Sequence, residues 1–159
     1  NMEFYTIGVY NSKEDDFFRK LTENNIDVFC DIRQRRGVRG SEYSFVNSVR
    51  LQQKLAANGV SYIYVRDLAP TSEIRNLQKE ADAKLGEQKR SRNHIGQIFS
   101  LAYKNQILNN FDFDCFISLL QNRGAKRIAF FCVEEKPEAC HRSIVADRLN
   151  RLGYKIVHL

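Results

Sequence analysis

Eleven residues, Cys132-Val-Glu134-Glu-Lys-Pro137-Glu-Ala-Cys140-His141-Arg142, hold two thiols, carboxylates, an imidazole and a guanidinium. Each group has its own chemistry. A thiolate is a nucleophile or a redox group. Carboxylates and imidazoles exchange protons, and a guanidinium grips anions through paired donors. The segment follows the apolar run Ile128-Ala-Phe-Phe131 and precedes a helical pattern. It is therefore expected on a strand-to-helix turn, where open α/β sheets place their ligands. Pro137 suits the first position of that helix and would set Cys140 in its first turn. Backbone N–H groups there, together with Arg142, favour a thiolate, so Cys140 reads as the nucleophile or redox group, or else as an inert small residue packed beside Ile144. His141 shares a helical face with Val145, Leu149 and Leu152. It reads either as a hydrogen-bonded core histidine holding the turn or as an acid-base group.

These residues must be positioned by elements that the pattern also shows. Phe4 to Val9 reads as a strand, with Gly8 near its end permitting close backbone approach. Ser12 with Asp15 forms a capping box for a helix that buries Phe17, Phe18 and Leu21 and stops at Asn24-Asn25. Ile26 to Ile32 is a second strand finishing on Asp31 and Arg33, and a basic loop runs on to Gly40. Phe45, Val49, Gln52 and Leu55 mark a helix ended by Gly59, and Val60 to Val65 a short aromatic strand.

Residues 66–111 show no strand. Ile74, Leu77, Ala81 and Leu85, then Ile95, Ile98, Phe99 and Ala102, recur at helical spacing around the polar stretch Gly86 to His94. They are expected to form a helical insertion over the site. Asp112 or Asp114 should cap a helix through Phe116, Leu119 and Leu120 that ends at Gly124. Arg127 to Cys132 is apolar without a break, as in a parallel strand buried on both faces. Gly153 should end the last helix, and Tyr154 to Leu159 form a final strand. Alternating strands and helices predict a single three-layer α/β domain over residues 2–159. Its mostly parallel sheet would have about five strands, with helices on both faces.

In such a sheet the first, second and fourth strands end on one edge. Gly8, Asp31, Arg33, Cys132 and Glu134 then converge there with Cys140, His141 and Arg142. Arg33 and Arg142 would clamp an anion, with Gly8 and Arg36 reaching the substrate. Asp31 and Glu134 would move protons, or else hold the two arginines in an ion-paired scaffold. Arg33, Arg35, Arg36 and Arg39 form the densest basic cluster, and Lys84, Lys89, Arg90 and Arg92 a second. They read as solvated loops or as phosphate contacts. Tyr43 and Phe45 would either stack a base or pack as helix core.

The net charge of +6 is compatible with an anionic small molecule or nucleic acid and demands neither. Thr6-Ile-Gly8 lacks the later glycines of a dinucleotide site, and no Walker loop is present. Cys140-His-Arg142 lacks the five-residue gap of cysteine phosphatases. Cys132, Cys140 and His141, with His158 as a distant fourth group, offer metal ligands, but not in the close-paired zinc spacing. No metal and no cofactor is assigned. No apolar run approaches the roughly 20 residues of a membrane span, and no signal pattern opens the chain, so a cytoplasmic setting with reduced cysteines is expected. Met2, after Asn1, is the expected natural start.

Thr6-Ile-Gly8, Asp31-Ile-Arg33 and the pattern C-x-E-x-x-P-x-x-C-H-R together resemble the family called domain of unknown function 488. The resemblance implies a compact α/β domain. It implies that Asp31, Arg33, Glu134, Cys140, His141 and Arg142 occupy the family's motif positions, and it supplies no activity. Family members often carry a His after Thr-Ile-Gly, where Val9 stands, and Leu-Gly in the third-strand loop, where Leu68-Ala69 stands. The chain accordingly reads as an enzyme on an anionic substrate, a hydrolase or a thiol-dependent catalyst. The alternatives are a non-catalytic nucleic-acid adaptor and a metal-binding or thiol redox protein.

Overall fold

The computed structural model describes residues 1–85 and 95–159. Its sheet has five strands: β1 (Glu3–Ile7), β2 (Val28–Asp31), β3 (Ser61–Tyr64), β4 (Arg127–Phe131) and β5 (Lys155–His158). All neighbours are parallel, in the order β3-β2-β4-β1-β5. The helices are α1 (Glu14–Glu23), α2 (Ser48–Ala57), α3 (Ser72–Leu85), α4 (Gln97–Gln106), α5 (Phe113–Asn122) and α6 (Arg142–Arg151). The α/β architecture and the common edge are as expected: Ile7 and Asp31 both lie in register with Phe131.

Strand side chains alternate between two apolar cores. Phe4, Val28, Cys30, Ile128 and Phe130 pack with residues of α3, α4, α5 and α6. Tyr5, Ile7, Phe29, Ala129 and Phe131 pack with Phe17, Phe18 and Leu21 of α1 and Leu51 and Leu55 of α2. The chain therefore leaves β1 and β2 toward one face and leaves β4, which lies between them, toward the other. Loops that diverge in this way open a crevice beyond the carboxyl end of β4.

Local details depart from expectation in three places. Ser12 does not cap α1: its N–H closes a turn onto the Val9 carbonyl at 2.9 Å, with Asn11 at a positive φ of 66°. The tight exit from β1 thus uses Ser12, and α1 opens after Lys13 with Glu14, Asp15 and Asp16 favourably placed at its positive end. Pro137 opens a separate 3₁₀ turn, Pro137–Ala139, rather than α6. Cys140 then runs extended (φ −135°, ψ 151°), and α6 starts at Arg142 with His141 as its cap. On α3 the buried stripe is Ile74, Gln78 and Asp82, while Leu77 and Ala81 are only half-buried. Asp112 does cap α5, accepting the Cys115 N–H at 3.0 Å. The polar stretch Gly86 to His94 and Lys89, Arg90 and Arg92 of the second basic cluster lie outside the described residues.

Candidate functional site

A cavity of about 540 Å³ occupies the crevice, within the roughly 300–1,000 Å³ of small-molecule sites. Cys132, Val133 and Glu134 beyond β4 and His141 at the start of α6 line it. Arg33, Gln34, Arg35 and Arg39 line it from the loop after β2. Helix α3 contributes Arg75, Gln78, Lys79 and Asp82, and Tyr10 comes from the loop after β1. Cationic groups thus ring a floor that holds a cysteine sulfur, a carboxylate and an imidazole.

Arg33 is held from beneath. Its Nε and Nη2 donate to the two carboxylate oxygens of Asp31 at 2.9 and 2.8 Å. Tyr62 donates its hydroxyl to Asp31 at 2.7 Å. Burial, with the Asp31 charge adding to it against Arg36, pushes the Tyr62 hydroxyl up to about 12. The guanidinium carbon sits 4.8 Å from the centre of the Phe131 ring, a cation–π contact. Asp31 is completely buried and lies behind Arg33 instead of lining the cavity, so its geometry is that of a counter-ion.

Arg142 is not at the cavity wall. It is fully buried, and its Nη1 and Nη2 donate to the carbonyls of Glu134 and Glu135 at 2.6 and 3.0 Å. Burial lowers its guanidinium to about 10, against the opposing pull of Glu134 and Glu138. Its Nη donors are directed at the loop that carries Glu134, behind the cavity lining. Gly8 likewise serves packing: a Cβ there would meet the Glu134 carbonyl oxygen at 2.0 Å. Arg36 stacks over Tyr64, 4.2 Å from the ring centre, and reaches the Tyr62 hydroxyl at 3.5 Å, outside the cavity lining. Tyr43 and Phe45 are buried in the α1–α2 core and offer no face to a base.

The sulfurs of Cys132 and Cys140 are joined as a disulfide, with Cα atoms 6.9 Å apart, where reduced thiols were expected. Both residues are buried, and it is Cys132, not Cys140, that lines the cavity. Cys132 Sγ lies 3.4 Å from Glu134 Oε2 and 3.9 Å from Arg142 Nη1. His141 Nε2 is 2.7 Å from the Ile32 carbonyl oxygen, an acceptor only, so the proton is on Nε2. Its Nδ1 lies 3.7 Å from Cys140 Sγ. Tyr103 packs against the imidazole with ring centres 5.3 Å apart. The candidate ligand atoms of Cys132, Cys140 and His141 all lie within 4.8 Å of one another.

Of the remaining cysteines, Cys30 is buried in β2, and burial pushes its thiol far up, while Cys115 is exposed. His158 is not part of that cluster. It bonds Thr6 Oγ1 through Nδ1 at 2.6 Å, and burial followed by the Arg142 charge lowers its pKa. Folding therefore favours neutral His158. Its contribution to stability is present above the ordinary value of 6.5 and is lost as pH falls through the lower folded value. His158→Gln should flatten the decline of the urea midpoint as pH falls below about 6.5; an unchanged slope would contradict this.

Arg75, Gln78, Lys79, Asp82 and Tyr10 are cavity residues that the motif reading passed over. One signal was present: Gln78 and Asp82 stand four apart on a helix and share a hydrogen bond of 2.8 Å, and Gln78 accepts the Gly96 N–H at 2.7 Å. No helix among the described residues is long and apolar enough to cross a membrane. No curated protein and no solved structure matches the chain. The family model described as domain of unknown function DUF488 matches residues 13–149, and the chain belongs to that family.

Proposed function

We propose that this protein is an enzyme acting on an anionic substrate of nucleotide size, bound in the crevice beyond β4. The observation that carries the reading is the convergence of Cys132, Glu134 and His141 on the floor of a cavity ringed by Arg33, Arg35, Arg39, Arg75 and Lys79. Arg33 is already oriented by Asp31, so an anion binds without a further cost of ordering that side chain. Glu134 is the proton-transfer group, buried and beside Cys132. A hydrolytic reaction fits best, because a general base and cationic stabilisers are what attack by water on a charged substrate needs.

Calorimetric titration with nucleoside mono- and diphosphates and with inorganic phosphate tests this. Arg75→Ala and Lys79→Ala should each weaken binding about tenfold, the order expected for one charge-assisted bond. Glu134→Gln should keep binding and lose turnover. Binding of a long oligonucleotide with a steep salt dependence, without binding of mononucleotides, would favour a nucleic-acid adaptor instead. Absence of any anion binding would sink both.

A further inference from the structure

We propose that reduced Cys132 and Cys140, together with His141, form a transition-metal site, with zinc its expected occupant. Tetrahedral zinc, with bonds of about 2.3 Å to sulfur and about 2.0 Å to nitrogen, sets sulfur and nitrogen ligands roughly 3.6 Å apart. The Cys140 Sγ to His141 Nδ1 distance is 3.7 Å. The imidazole is already set for this role. Its Nε2–H is spent on the Ile32 carbonyl, so Nδ1 presents a lone pair to the sulfurs. A ligating histidine is typically fixed in this way by a backbone acceptor on its far nitrogen. Tyr103 holds the plane of the ring. The Cα separation of 6.9 Å leaves room for sulfurs about 3.8 Å apart, as two zinc-bound thiolates require.

Two thiolates and an imidazole select zinc over the hard cations magnesium and calcium. Cys132 and His141 line the cavity, and Cys140 lies behind them. Among the described residues the site has these three protein ligands, which leaves a fourth position facing the cavity, the arrangement of catalytic rather than structural zinc. Glu134, 3.4 Å from Cys132 Sγ, stands beside it, and Arg142, 3.9 Å from the same sulfur, offsets part of the thiolate charge. The disulfide and the metal complex are two states of one thiol pair. A dithiol reductant supplies two electrons and two protons to open the disulfide; zinc then displaces the two thiol protons to solvent.

The metal site stands without the substrate reading, and its open position deepens that reading by placing a Lewis acid on the cavity floor. The test uses the full chain without a histidine tag, reduced, stripped with a chelator and titrated with cobalt(II) alone. One cobalt per chain with a thiolate-to-cobalt charge-transfer band, lost on adding zinc, is the expected result. Cys132→Ser and His141→Ala should weaken binding at least tenfold, and Cys115→Ser should not. If these variants fail to fold, zinc protection of Cys132 and Cys140 from alkylation in the unaltered protein gives the same answer. Absence of the band, labelling unaffected by zinc, or a disulfide that resists reduction in the folded protein would each overturn the proposal. Nucleotide titration of the stripped and the loaded protein separates the two readings, since metal binding is read without nucleotide.

Discussion

Gly8→Ala should destabilise the fold by about 3 kcal/mol or more, a large effect for one methyl group. An added Cβ would lie 2.0 Å from the Glu134 carbonyl oxygen, 2.9 Å from its carbon and 3.0 Å from Arg142 Nη2. Two of these neighbours are backbone, so they cannot swing aside as a side chain would. The carbonyl is also the acceptor of the 2.6 Å bond from Arg142 Nη1. Pushing the loop away takes an acceptor from a buried guanidinium whose Nε already lacks a hydrogen-bond partner among the described residues. An unsatisfied buried charge is the costlier part of the change. Urea unfolding at neutral pH measures it directly, and a midpoint within error of the unaltered protein would refute the close packing described at this turn. Cys132, Glu134 and the start of α6 hang on the same turn, so any folded Gly8→Ala protein should also bind anions more weakly.

The second large effect is expected at Asp31. Asp31→Ala leaves the Arg33 guanidinium buried without its bidentate partner, a situation that costs about 3–5 kcal/mol in proteins. Arg33→Met should cost less, because Asp31 keeps the Tyr62 hydroxyl at 2.7 Å and the Arg33 N–H at 3.2 Å. The double variant Asp31→Ala, Arg33→Met should be more stable than the sum of the two singles implies, by about 1–3 kcal/mol. Strict additivity would mean that the pair does not interact energetically, and Arg33 would lose its standing as a pre-oriented anion group. The double variant should bind no anion even when folded, which separates the loss of the site from the loss of the fold.

The sequence made the architecture legible because its signals are local and periodic. The unbroken apolar run of β4, the stops at Gly59, Gly124 and Gly153 with φ of 73°, 72° and 97°, and the Asp112 cap each express a single short-range preference. The shared edge followed from parallel topology alone, and it brought Arg33, Cys132, Glu134 and His141 to one place. The roles within that place were less legible, because they depend on contacts between distant segments. Nothing in Cys140-His-Arg142 says that the arginine turns inward to the carbonyls of Glu134 and Glu135. Nor does the spacing say that Cys132, not Cys140, faces the cavity. That follows from the extended backbone at Cys140, which delays α6 until Arg142. Helix α3 misled for a related reason. Apolar periodicity pointed to Leu77 and Ala81, but the wall over the cavity buries Gln78 and Asp82, each satisfied by hydrogen bonding.

The order of the strands also bears on how the chain matures on the ribosome. Strand β1 is made early, yet it pairs with β4 and β5: Glu3 lies in register with Arg127 and Lys155. During synthesis both edges of Glu3–Ile7 wait with unpaired backbone groups until the last strands emerge, while β2 and β3 can already meet. Late closure of this kind slows folding and exposes apolar strand to self-association. The nascent chain is therefore at its most aggregation-prone just before Arg127–Phe131 leaves the exit tunnel, and the cavity, whose floor follows that strand, forms last.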